Sequence, residues 1–132
     1  AFSSEVKNTY SEGGAACQFT SVTLLTDDTP IIIPLSAKGC VSELNLLSVD
    51  QFVSGKKADL SALGVDFSDW VGVSCRSEGG KLLYSFNGRQ VFAFPLPDRP
   101  VKILGVAFAF RGTGAVRKVN LTSSGKILLR AF

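Results

Sequence analysis

Apolar and polar residues alternate with a period of two over most of this chain. That spacing turns one face of a β-strand toward a core and the other toward water. Phe2-x-Ser4-x-Val6 opens the pattern, and Ser11-Glu12-Gly13-Gly14 closes its first segment with a turn. Residues 16–26 are rich in Thr, Val and Leu and stop at Asp27-Asp28-Thr29-Pro30. Ile31, Ile32 and Ile33 run continuously between two prolines, which predicts a strand covered on both faces. Ser36 to Gly39 turn the chain, and residues 41–49 predict a further strand. One stretch departs from the alternation: Asp59-Leu60-Ser61-Ala62-Leu63-Gly64 starts at a capping-type Asp and stops at Gly, so it predicts a short helical turn near 59–63.

The second half is more regular. Trp70 to Arg76 alternates, Ser77-Glu78-Gly79-Gly80 turns, and Lys81 to Phe86 alternates again. Asn87-Gly88 then predicts a two-residue hairpin with a type I′ turn, setting Phe86 opposite Arg89 and Tyr84 opposite Val91. On that register Leu82, Tyr84, Val91 and Ala93 share one face, and Leu83 and Phe92 the other. Pro95 and Pro97 end the strand. In residues 101–110, Val106, Phe108 and Phe110 face one way, while Gly105, Ala107 and Ala109 leave room for a close neighbour on the other. Arg111 to Gly114 turn, and Val116 to Leu121 and Ile127 to Phe132 read as the last strands. About ten short strands with turns at this spacing predict an all-β, two-sheet antiparallel sandwich or jelly roll formed by residues 1–132 as one domain.

Several of these phrases resemble the concanavalin A-like lectin/glucanase superfamily. The carrying segments are Trp70-Val71-Gly72-Val73, Leu82 to Val91 around Asn87-Gly88, Gly105-Val106-Ala107-Phe108, and Gly114-Ala115-Val116-Arg117-Lys118-Val119-Asn120-Leu121. A closer resemblance, to the C-terminal domain of membrane-anchored envelope proteins of Gram-negative bacteria, rests on Lys7-Asn8-Thr9-Tyr10, Ala16-Cys17-Gln18, Ile32 to Ser36, Gly39 to Leu46, and Ser54 to Asp66. It implies a concanavalin A-like jelly roll working in the periplasm or at the cell surface as part of a membrane-anchored precursor, and it brings no activity with it. The superfamily's catalytic members carry Glu-x-Asp-x-x-Glu or Glu-x-Asp-x-Glu, and its legume-type lectins a close set of Asp and Asn calcium ligands. Neither pattern occurs here.

Composition narrows the chemistry. With no His among 132 residues, the commonest general base and metal ligand is missing, and a Ser–His–Asp triad is excluded. The absence of Met suggests a piece cut from a longer precursor. A net charge of +3 with scattered cations, Lys56-Lys57 and Arg117-Lys118 being the adjacent pairs, does not form a nucleic-acid footprint. No apolar run reaches the roughly 18 residues of a membrane-spanning helix, so this segment predicts no membrane insertion. The three cysteines allow one bridge and one leftover thiol. Cys75 sits in an alternating strand and reads as a buried hydrophobe, whereas Cys17 and Cys40 lie near segment boundaries and are the preferred pair. Three reduced, buried thiols are the alternative, because spacing alone does not establish bridge geometry. The resemblance to an envelope domain is consistent with the pairing.

Candidate sites are few. Glycosidases need carboxyls about 5–9.5 Å apart, yet Asp66 and Asp69 bracket a turn, and Asp27-Asp28 and Glu78 read as solvated turn residues. Ser54-Gly55-Lys56-Lys57 and Gly79-Gly80-Lys81 lack the spacing of a phosphate loop and read as turns. Asn120-Leu121-Thr122 matches a glycosylation sequon and reads as an ordinary strand segment. Trp70, the single tryptophan, offers an indole face to a sugar, and Arg111 could reach a ligand from the end of its strand. No catalytic residue, metal or cofactor is expected. The sequence therefore predicts a non-catalytic envelope module, binding glycan on a concave sheet. The alternatives are a structural or protein-interaction module and, third, a glycoside hydrolase-like enzyme.

Overall fold

The computed structural model describes residues 1–9, 17–66 and 69–132. The turn predicted at Ser11–Gly14 lies outside them. The architecture is a β-sandwich of two antiparallel sheets, with strands in the order β11-β10-β1-β6-β7-β8 in one and β5-β4-β3-β2-β9 in the other. The strands are β1 Phe2–Asn8, β2 Phe19–Thr26, β3 Ile31–Ser36, β4 Asn45–Ser48, β5 Gln51–Ser54, β6 Val71–Glu78, β7 Lys81–Phe86, β8 Arg89–Pro95, β9 Ile103–Phe110, β10 Gly114–Ser123 and β11 Lys126–Ala131. Alternate residues face inward, as the period demands: Val71, Val73 and Cys75 from β6 meet Val22, Leu24, Ile31 and Ile33 of the opposite sheet in one buried cluster. The predicted helical turn is a 3₁₀ turn, Ser61–Leu63, whose Leu63 plugs the core.

Four expectations are corrected. Residues 41–49 do not form one strand: Val41–Glu43 is a second 3₁₀ turn, and pairing starts only at Asn45. The chain then reverses through Val49-Asp50 into β5, bringing the strands to eleven. Val49 is a buried, β-branched residue at φ 51°, held in the left-handed region by its place in that tight turn. The Asn87-Gly88 turn has both residues at positive φ and does pair Phe86 with Arg89. A bulge follows at once, however, so Tyr84 pairs with Phe92 and Leu82 with Phe94. The bulge takes up Val91 as the extra residue and turns Phe94 into the core, where its ring lies 5.6 Å from that of Tyr84. Ala93, expected inward, is exposed. The tight turn after β6 is Gly79-Gly80 alone, since Ser77 and Glu78 remain in the ladder. Finally, Ile32 is not fully covered: it points to the outer face and is shielded only partly, beside Leu47 on the neighbouring strand.

The two sheets are laid over one another with an offset. Phe2 of β1 packs against Phe108 of β9, with ring centroids 6.5 Å apart. Tyr84 of β7 faces Ser48 of β4. Six strands thus face five, and β11 is the one left uncovered: Lys126 to Arg130 are exposed, whereas the inward Val119 and Leu121 of β10 are buried. The disulfide Cys17–Cys40, with Cα atoms 5.9 Å apart, ties the approach to β2 to the segment after β3.

Candidate functional site

The outer face of the five-stranded sheet carries a row of paired residues, Ala107–Thr23–Ile32–Leu47–Phe52, running from β9 to β5. It begins in small side chains and ends on an aromatic ring that is 65% exposed. Beside Phe52 the surface sinks into a hollow of about 820 Å³ lined by Ser42, Glu43, Asn45, Ser54, Lys56 and Lys57. The 3₁₀ turn supplies Ser42 and Glu43, and paired Asn45 and Ser54 share the outward face of β4 and β5 with Phe52.

The far wall is the turn after β5, where Ser54 does the local work. Its carbonyl accepts the N–H groups of Lys57 and Ala58 at 3.0 and 2.9 Å. Its Oγ accepts the Lys56 N–H at 3.3 Å. Gly55 then passes so close to the 3₁₀ turn that an added Cβ would lie 2.2 Å from the Val41 carbonyl oxygen. Its N–H donates to the Leu44 carbonyl at 2.8 Å. Only glycine fits that approach, and it presses the two walls of the hollow together. Among the described residues, Glu43, Lys56 and Lys57 make no ion pair. The hollow thus sets an apolar ring beside charges that are unpaired among the described residues and beside the hydroxyl and amide side chains of Ser42, Asn45 and Ser54.

The two residues singled out in the sequence lie elsewhere. Trp70 and Arg111 sit at the same end of the sandwich but on different sheets, at the start of β6 and the end of β9. Trp70 is half-buried, with the Arg117 guanidinium 4.1 Å above its ring. Arg117 Nε donates to Glu5 Oε2, and Lys118 Nζ donates to Glu5 Oε1 at 3.1 Å. The Arg117 and Lys118 hydrogen bonds hold the Glu5 carboxyl below its usual range. One face of the indole is therefore taken by protein. Arg111 lies over the Phe19 ring, 5.4 Å from its centroid.

Five of the acids, Asp27, Asp28, Asp50, Asp69 and Glu78, are engaged structurally. Asp28 is not the free turn residue expected: Arg99 Nε donates to its Oδ2 at 2.6 Å, while the other two guanidinium nitrogens hold both oxygens of Asp50 at 2.8 and 3.0 Å. These bonds lower both carboxyls below their usual range, and the two carboxylates hold the Arg99 guanidinium charged. A glycosidase acid needs the opposite shift, a carboxyl kept protonated near neutrality. Asp27 accepts the Lys102 N–H at 2.9 Å and Asp69 the Trp70 N–H at 2.8 Å. Glu78 pairs with Arg76 at 3.0 Å on the surface.

Burial pushes the Cys75 thiol up to about 12, so it holds its proton and is a poor nucleophile. Burial also pushes Tyr84 far above its usual range, with the Ser48 hydroxyl nearby but outside hydrogen-bonding geometry. Among the described residues no cluster of three His, Cys, Asp or Glu side chains could hold a metal ion.

Compared with family models, with curated proteins and with solved structures, the chain matches none. The hollow at Phe52 escaped the sequence because Phe52 alternates like any core strand residue. Only the Gly55-Lys56-Lys57 turn beside it stood out, and it signalled a turn rather than a wall.

Proposed function

We propose that this domain is a non-catalytic binding module that takes glycans on the outer face of its five-stranded sheet, in the hollow beside Phe52. The observation that carries the reading is the exposed Phe52 ring, 65% accessible, set next to Asn45, Glu43 and the Lys56-Lys57 pair. Sugars offer apolar C–H faces that stack on aromatic rings and hydroxyls that bond amides, carboxylates and ammonium groups. Trp70, on the other sheet with Arg117 over one face, takes no part in this site. In this reading, which rests on the resemblance to envelope proteins, the module works in the periplasm or at the cell surface as part of a membrane-anchored protein. The lowered carboxyls of Asp28 and Asp50, both tied to Arg99, support the non-catalytic reading.

A glycan array followed by titration of the best hits tests it. Phe52→Ala should weaken binding by about tenfold or more, the loss of one stacking contact of about 1.4 kcal/mol or larger. An array without binders, or hits whose affinity is indifferent to Phe52→Ala, overturns the proposal.

A further inference from the structure

β8 and β9 are consecutive in the chain but lie on different sheets and on opposite sides of the sandwich. β8 is the edge strand beyond β7, whereas β9 packs Phe108 against Phe2 of β1 on the far side. Residues 96–102 must therefore cross the end of the fold, at least three strand spacings of about 4.8 Å and the roughly 10 Å between sheets. A segment of that length reaches only about 23 Å when fully extended, so it forms a taut strap. Pro97 and Pro100 fix φ along it. Three points pin it down. The Leu96 N–H donates to the Gly80 carbonyl at 2.9 Å. Arg99 holds Asp28 and Asp50, in the turns after β2 and β4. The Asp27 N–H donates to the Lys102 carbonyl at 3.0 Å, and the Lys102 N–H to Asp27 Oδ1 at 2.9 Å.

Between the strap and the near ends of β6, β10 and β11 the sandwich opens in a hollow of about 930 Å³, the size of a small-molecule pocket. Its floor is apolar and comes from both sheets: Phe2, Leu24, Cys75 and Leu121 are core residues that line it. The pairing of β10 with β11 adds a wall. Leu121 pairs with Leu129 and Thr122 with Ile127, so Leu128 is the extra residue of a bulge, and it lines the hollow while 51% exposed. The rim is cationic. Arg76, Arg99, Lys102 and Lys126 line it against one acid, Asp27, which the strap already engages. Arg76 and Arg99 are paired with acids, whereas Lys102 and Lys126 make no ion pair among the described residues.

We infer that this hollow is a binding site for an anionic amphiphile, a long-chain carboxylate whose alkyl chain lies on the apolar floor and whose head meets Lys102 and Lys126. The floor selects a hydrocarbon chain, because burying it against Phe2, Leu121 and Leu128 removes apolar surface from water on both sides. The two ammonium groups select an anionic head over a cationic one. The hollow shares no lining residue with the one beside Phe52, so the two proposals stand or fall separately.

The probe is dodecanoate, titrated calorimetrically into the intact protein at neutral pH and below the concentration at which it forms micelles. It should bind, and hexanoate should bind at least tenfold more weakly for want of buried methylenes. The double variant Lys102→Glu/Lys126→Glu should bind dodecanoate about tenfold more weakly, the sum of two partly exposed charge pairs, and should instead prefer dodecyltrimethylammonium. Leu128→Asp should weaken dodecanoate by a similar factor. All three side chains are exposed, so these variants keep the core intact, and the comparison of chain lengths needs no variant at all. Four results overturn the inference: no binding of dodecanoate; equal affinity of the unaltered protein for dodecanoate and dodecyltrimethylammonium; dodecanoate affinity indifferent to these substitutions; or binding to vesicles containing phosphatidylglycerol without binding of monomeric dodecanoate, which would give the cations to a membrane surface.

Discussion

The guanidinium of Arg117 lies 4.1 Å above the ring of Trp70 while its Nε donates to Glu5. An aromatic that looks available to a ligand in the sequence is thus one layer of a stack shared with β1 and β10, the strands that carry Glu5 and Arg117. Arg117→Ala should lower stability by about 0.5–1 kcal/mol, the size of an exposed cation–π contact, and should shift the fluorescence of Trp70, the only tryptophan. Urea unfolding monitored at that residue checks both, and unchanged emission would count against the stack in solution.

Arg99 makes stability depend on acid. Asp28 and Asp50 have lowered pKa values in the folded protein because Arg99 bonds both. The unfolded chain therefore binds more protons as pH falls into the ordinary carboxylate range near 4. The stabilisation is fully present above that range and is lost as pH falls through the folded values. Arg99→Met should flatten this acid limb of a stability-against-pH curve. A curve parallel to that of the unaltered protein would show that the clamp does not form.

The cysteines should divide cleanly between the two fates. Replacing Cys17 and Cys40 by Ser opens a loop with a sequence separation of 23, and the chain-entropy view puts the cost at about 3 kcal/mol. Cys75, buried and held protonated, should stay silent to a thiol reagent until the protein unfolds. Labelling kinetics in native buffer and in denaturant read both points, and rapid native labelling of Cys75 contradicts the second.

Tyr84 is fully buried, and neither its hydroxyl nor that of Ser48 has a hydrogen-bond partner. Tyr84→Phe removes an unsatisfied polar atom and keeps the ring against Phe94, so it should raise stability by about 1 kcal/mol. A fall in melting temperature would mean that the hydroxyl is satisfied in solution.

Gly55→Ala acts through the hollow. The added methyl meets the Val41 carbonyl, so the wall must move at a cost of about 1–3 kcal/mol. Glycan affinity should fall with it, whereas Gly79→Ala, at a turn with open space around it, should affect stability without touching binding.

By itself the sequence determined the features that are short in range. Alternation sets which side of a strand is wet, so the all-β class, the inward set of β1 and β6 and the residues Val106, Phe108 and Phe110 could be read directly. Asn87-Gly88 dictates its own turn because two adjacent residues at positive φ are tolerated there. Tertiary structure decided whatever depends on a second strand or a second sheet. The bulge that moves Tyr84 from Val91 to Phe92 is a property of the pairing, as is the choice of Phe94 for the core. The partner that covers Trp70 comes from β10, far along the chain. Phe52 and Phe94 share one alternating pattern, and only the position of each strand in its sheet makes one a surface ring and the other a core ring. The exposure of β11 has no local signal at all, since it is set by how two finished sheets are laid over one another to bury Phe2, Tyr84 and their neighbours.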